Sequence, residues 1–104
     1  MIHNKLVRDK IPEIIERQGQ HADIRILSKT EYTHALEQKL DEEIREFHKD
    51  KNLEELADIL EVVYALAENL GCTQEELLQA YRDKHEKRGG FRERIYLISV
   101  ADKL

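Results

Sequence analysis

With a single cysteine, Cys72, the chain has no intrachain disulfide and no cysteine-based zinc site open to it. That scarcity points to a reducing cytoplasm. Positive charge is not in excess either. The formal net charge is −5, which argues against binding a nucleic-acid polymer. A basic pocket for a small phosphate ligand stays open. No apolar stretch is long enough to span a membrane, and the opening MIHNKLVRDKIP has no apolar run of signal-peptide type. There is no low-complexity segment and no repeat of fixed period.

What is present is charge and apolarity in near-equal measure, 38% charged against 40% hydrophobic. Such a chain builds a core only if its apolar residues are segregated onto faces. Its 104 residues fit one domain, 1–104. Residues 1–9 are mixed and read as extended. Pro12, the one proline, suits the first turn of a helix over 11–17, with Ile11, Ile14 and Ile15 on one face and Gly19 beyond its end. Residues 23–27 alternate weakly, as a brief strand or an extended linker would. Ser28-x-x-Glu31 is a capping box that opens a helix to about position 48, with Leu36, Leu40, Ile44 and Phe47 as its buried stripe.

A polar break at 48–52 follows, with Asp50 and Asn52 as candidate N-caps. The next helix spans about 53–70. Its apolar residues cover about half the helical wheel, more than one partner helix covers, so the helix is central and part of its face belongs to another subunit. Thr73-x-x-Glu76 caps a last helix to about position 88, with Leu77, Leu78 and Tyr81 inward. After Gly89-Gly90, the run Ile95, Tyr96, Leu97, Ile98, Val100 reads as a terminal strand or a tail packing on a neighbour. The expected fold is all-α: a helical bundle centred on an antiparallel hairpin, with short extended segments at both ends.

The chemistry lies at the hairpin. Glu42, Glu43 and Glu46 precede the break; Glu55 and Asp58 follow it. Leu36, Leu40, Glu43 and Phe47 are spaced by four, three and four, so Glu43 stands in the core register, where a carboxylate is expensive unless compensated. Glu55 and Asp58, three apart, share a face. A short break makes the helices antiparallel neighbours. Folding at Asp50 and Lys51 sets Glu46 level with Glu55 and Glu43 level with Asp58, in two rungs ~4–5 Å apart along the axis. Four converging carboxylates repel one another. A hard divalent cation removes that conflict, and Mg²⁺ is the ion that bridges carboxylates to phosphate oxygens. The plainer alternative makes Glu55 an N3 capping glutamate for Asn52, Glu55 and Asp58 dipole-favoured acids, and Glu42 and Glu46 solvated partners of Arg45 or Lys49.

KLDEEIREF followed by LEELADILEVVYAL resembles the MazG-like family of all-α nucleoside triphosphate pyrophosphohydrolases, which pairs Glu-Glu-x-x-Glu on one helix with Glu-x-x-Asp on the next. NKLVRDKIPEII and KHEKRGGF resemble a compact, phosphoribosyl-ATP pyrophosphohydrolase-like branch. The resemblance runs over nearly the whole chain. It implies cleavage of a nucleotide between the α- and β-phosphates with Mg²⁺, or Mn²⁺ in its place. It implies Glu43, Glu46, Glu55 and Asp58 as metal ligands, and Glu42 and Glu43 as catalytic, Glu42 positioning or deprotonating the water. It also implies a homodimer or homotetramer. Ala57 stands where many relatives have Gly, which leaves the ligand spacing intact.

A triphosphate needs cations. Lys84, Lys87 and Arg88, ahead of the Gly89-Gly90 turn, form one candidate group, and Lys5, Arg8 and Lys10 a second; solvated surface is the alternative for both. Two rival functions are a non-catalytic helical dimerisation or regulatory protein, and an oxidative di-metal protein. The latter needs a second Glu-x-x-His beside Glu31-x-x-His34, and the chain has none.

Overall fold

The capping signals set the helix boundaries. In the computed structural model, which describes residues 1–104, α1 spans Ile11–Arg17, α2 Lys29–Asp50, α3 Leu53–Asn69 and α4 Gln74–Arg88. The fold is an all-α helical bundle without strands. Ser28 and Thr73 each accept a hydrogen bond from the backbone N–H three residues on, and Glu31 and Glu76 close both capping boxes. Arg25 grips Glu31 with two hydrogen bonds of 3.2 and 2.8 Å. The guanidinium and the two Ser28 bonds hold the Glu31 carboxyl down at about 2.

α2 runs two residues beyond the expected end. Lys51, at φ 48°, adopts the left-handed conformation and donates its N–H to the Phe47 carbonyl, which turns the chain into α3. Asp50 is therefore the last residue of α2 and caps nothing. Asn52 is the N-cap, its side chain accepting from the Glu55 N–H at 3.0 Å. At the far end of α3, Gly71 takes φ 88° and Cys72 donates back to the Ala67 carbonyl, reversing the chain into α4.

α2 and α3 pack along each other as an antiparallel hairpin, tied at its open end by Asn69 donating to Thr33 at 2.9 Å. α4 packs on α3 but not on α2. The buried apolar residues are Leu36, Val62 and Ala67. Several residues expected inside are not: Ile44 on α2, Leu56 and Leu60 on α3 and Tyr81 on α4 all stay exposed. One chain lacks the elements to cover them. The chain measures 70 × 31 × 21 Å with a radius of gyration of 18.7 Å, against roughly 13 Å for a compact domain of this length. Residues 23–27 and 95–100 are irregular and unpaired, so neither becomes a strand.

Candidate functional site

Hairpin geometry brings the acidic motifs together. Oxygens of Glu43, Glu55 and Asp58 lie within 4.8 Å of one another, and so do oxygens of Glu46, Asp50 and Glu55. The grouping differs from two level rungs. Glu55 belongs to both groups, and Asp50 is a member the sequence reading placed in the turn. Its signal was the i, i+4 spacing from Glu46, which becomes meaningful once α2 continues to Asp50.

Glu43 is buried, with 8% of its surface exposed, as its place in the core register predicts. Lys39, one turn earlier on α2, approaches it at 3.2 Å and also donates to Glu42 at 3.3 Å. Lys39 was not singled out from the sequence, although its i+3 and i+4 spacing to two acids marks it. Lys5 reaches Glu42 at 3.5 Å, and Arg8 donates to Asp58 at 2.6 Å. Of the cations proposed from sequence, Lys5 and Arg8 therefore sit at the acids. Lys84, Lys87 and Arg88 lie exposed at the end of α4, in no ion pair, on a helix that does not touch α2. Lys10 precedes α1 and is likewise unpaired.

The plainer reading of Glu55 can be tested directly. In α2 and α4 the N3 glutamate folds back onto the N-cap N–H, but in α3 only the Asn52 side chain caps, and Glu55 offers its carboxylate to both acidic groups. Partial burial, then the negative charges of Asp58, Asp50, Glu46 and Glu43, push the Glu55 carboxyl up. Glu42 goes the other way. Burial pushes it up, but Lys39 and Lys5 outweigh that and hold it below the usual carboxylate range. Arg45 pairs with neither Glu42 nor Glu46.

The donor set fits a hard cation. It is all carboxylate oxygen, drawn from both sides of a rigid hairpin, with Glu43 too buried to be solvated. The surface hollow that includes Glu42 is lined by Gln38, Asp41, Glu42 and Arg45 and has no apolar wall, so it offers no stacking face for a base.

The fold and site together are an all-α hairpin that gathers carboxylates from two facing helices. Residues 8–94 match the model of a family described as dUTPase, one of the MazG-like all-α nucleotide pyrophosphohydrolase superfamily. The chain belongs to that family. A protein of Mycolicibacterium smegmatis, described as uncharacterized, is 55% identical over 42 residues, 40% of this chain and 43% of the relative. The match thus spans less than half of that relative's length. No solved structure matches the chain. No helix is long and apolar enough to cross a membrane.

Proposed function

We propose that the chain hydrolyses a nucleoside triphosphate between its α- and β-phosphates, releasing a monophosphate and pyrophosphate, as part of nucleotide-pool housekeeping. The observation that carries this reading is Glu43: a buried carboxylate in a core position, in reach of Glu55 and Asp58. Glu43, Glu46, Glu55 and Asp58 hold Mg²⁺ or Mn²⁺, with Asp50 beside them. When bound, the ion neutralises charge on the phosphate oxygens and acidifies a water for attack on phosphorus. Glu42, kept ionised by Lys39 and Lys5, orients that water as a hydrogen-bond acceptor. Its lowered pKa suits that role better than storing a proton. Arg8 and Lys5 line the acidic face and meet the triphosphate, with Lys84, Lys87 and Arg88 as a second set. The working form is a homodimer or homotetramer, because the outer face of α3 is left bare.

The family description makes dUTP the first substrate to test. The compact-branch features, NKLVRDKIPEII and KHEKRGGF, make phosphoribosyl-ATP the second. A nucleotide panel with Mg²⁺ and a chelator control, scored for pyrophosphate against orthophosphate, decides the reaction. Pyrophosphate from at least one nucleotide, abolished by the chelator, is expected; orthophosphate as sole product overturns α–β cleavage. The exposed α3 leucines also favour a second reading, a non-catalytic dimerisation module. It expects no hydrolysis and no rise in melting temperature with Mg²⁺, which a native-state ligand must produce.

A further inference from the structure

The outer face of α3 and the segment after α4 are each apolar, exposed and without a partner. On α3, Leu53, Leu56 and Leu60 fall within one narrow arc of the helix and are 80%, 46% and 46% exposed. α2 occupies another side of this helix. α4 meets α3 toward its C-terminal end, where Gln74 shares a hollow with Tyr64, Ala65 and Glu68. The N-terminal half of the stripe stays open.

Beyond Gly89-Gly90 a turn at 91–94, closed by the Arg94 N–H donating to the Phe91 carbonyl at 3.1 Å, leads into an irregular tail, and Phe91, Ile95, Tyr96, Leu97, Ile98 and Val100 are 72–97% exposed. This arm folds back on nothing in its own chain. Buried side chains of this size remove on the order of 100 Å² apiece from water. Two exchanged arms and the stripes under them therefore reach the ~1,600 Å² of a standard stable interface.

Charge selects the same pairing. α3 carries Glu54, Glu55, Asp58, Glu61 and Glu68 and no lysine or arginine. The approach to the arm carries Lys84, Lys87, Arg88, Arg92 and Arg94, none of them in an ion pair within the chain; the acids among them are Glu86 and Glu93. Around the helix the stripe lies opposite Glu55 and Asp58, which face α2, and the acids nearest to it in this half of α3 are Glu54 and Glu61.

We infer that the 91–100 arm of one copy seats on the Leu53–Leu56–Leu60 stripe of a second copy, with Arg92 and Arg94 meeting Glu54 and Glu61 beside the stripe. This rests on the homo-oligomer of the proposed function, not on its reaction.

The test uses the full chain with Cys72→Ser, so that added thiols are unique. Leu56→Cys and Ile98→Cys proteins are prepared separately, mixed and oxidised. A cross-linked dimer enriched at least ~10-fold over either protein alone is expected. Light scattering on the unmodified chain gives a dimer or larger, and Ile95→Asp with Ile98→Asp gives a monomer whose helical circular dichroism is retained. Arg92→Gln with Arg94→Gln weakens association about tenfold and flattens its salt dependence. A monomeric parent overturns both the arm exchange and the oligomer. An oligomeric parent with no mixed cross-link, or one indifferent to the arm variants, overturns the arm exchange alone. Cross-linking within one chain, at monomer mass in a Leu56→Cys, Ile98→Cys double variant, also overturns it. Arginine variants that associate as tightly as the parent overturn the placement of Arg92 and Arg94.

Discussion

Arg8 donates to Asp58 at 2.6 Å across 50 residues of sequence, so the segment before α1 is held against the acidic face of the hairpin. Both side chains are partly solvated, at 52% and 39% exposure, which limits what the pair adds to stability. Its effect is on the site: a cation shares a carboxylate that the proposed function assigns to the metal. Arg8→Ala is expected to raise KM for the nucleotide about tenfold, as one lost charge-assisted hydrogen bond would. The same change is expected to lower the Mg²⁺ concentration for half-maximal activity, because Asp58 loses a competing cation. Steady-state kinetics at varied Mg²⁺ measures both. A rise in the Mg²⁺ requirement contradicts the competition.

Glu43 opposes function to stability. Glu43→Gln and Asp58→Asn are each expected to cut turnover by ~10²-fold or more, since several kcal/mol of charge stabilisation depend on the ligand set. Helicity by circular dichroism should persist in both. Glu43→Leu fills the core register with an apolar side chain and should raise the melting temperature of metal-free protein while abolishing activity. Full activity in the Gln and Asn variants rules these residues out as ligands.

Glu55 gives the metal-free protein a pH dependence of unusual sign. Its carboxyl is raised in the fold by partial burial and by the surrounding acids, so the native state holds its proton more tightly than the unfolded state does. Its contribution to stability is fully present below the ordinary carboxylate pKa and is lost as pH rises through the raised value. Glu55→Gln should remove this dependence and raise the melting temperature at neutral pH without metal. Mg²⁺ should stabilise the parent and not the variant. Melting curves from pH 4 to 8, with and without Mg²⁺, check all three.

Glu31 does the opposite at the start of α2. Its carboxyl is lowered from 4.5 to about 2 by Arg25 and Ser28, so its contribution is complete above the unfolded value and disappears as pH falls from about 4.5 to about 2. Glu31→Gln should flatten acid unfolding in that window. Ser28→Ala removes the cap and should cost about 1 kcal/mol at neutral pH, measured by denaturant unfolding.

Mg²⁺ at a hundredfold excess over its dissociation constant should add about 2.7 kcal/mol to the stability of the native state. Calorimetry with and without chelator measures it. No shift with either Mg²⁺ or Mn²⁺ overturns the metal site.

Much of the fold was legible because its signals are local. Ser28-x-x-Glu31 and Thr73-x-x-Glu76 place two helix starts, Pro12 and Gly19 bracket a third, and Asn52 opens α3. Glu43 was legible because a helix repeats every 3.6 residues, so an acid in the apolar register is visible without coordinates. Asp50 was misread because the end of α2 depends on whether Lys51 takes the left-handed conformation, and nothing in the residue type requires it. Lys39 was passed over because an exposed lysine and one that bridges Glu42 and Glu43 look the same on paper. Residues 95–100 read as a strand or a packed tail, but strand formation needs a partner, and this chain offers none.

By itself, the sequence determined the helices, the hairpin and the presence of four carboxylates near one turn, because capping, periodicity and a short connection act over a few residues. Tertiary structure alone decided how those carboxylates group. The crossing of α2 on α3 shares Glu55 between two sets and draws in Asp50, and the path of the first residues brings Arg8 onto Asp58. Such pairings depend on the relative placement of elements distant in sequence, which residue spacing along one helix does not encode.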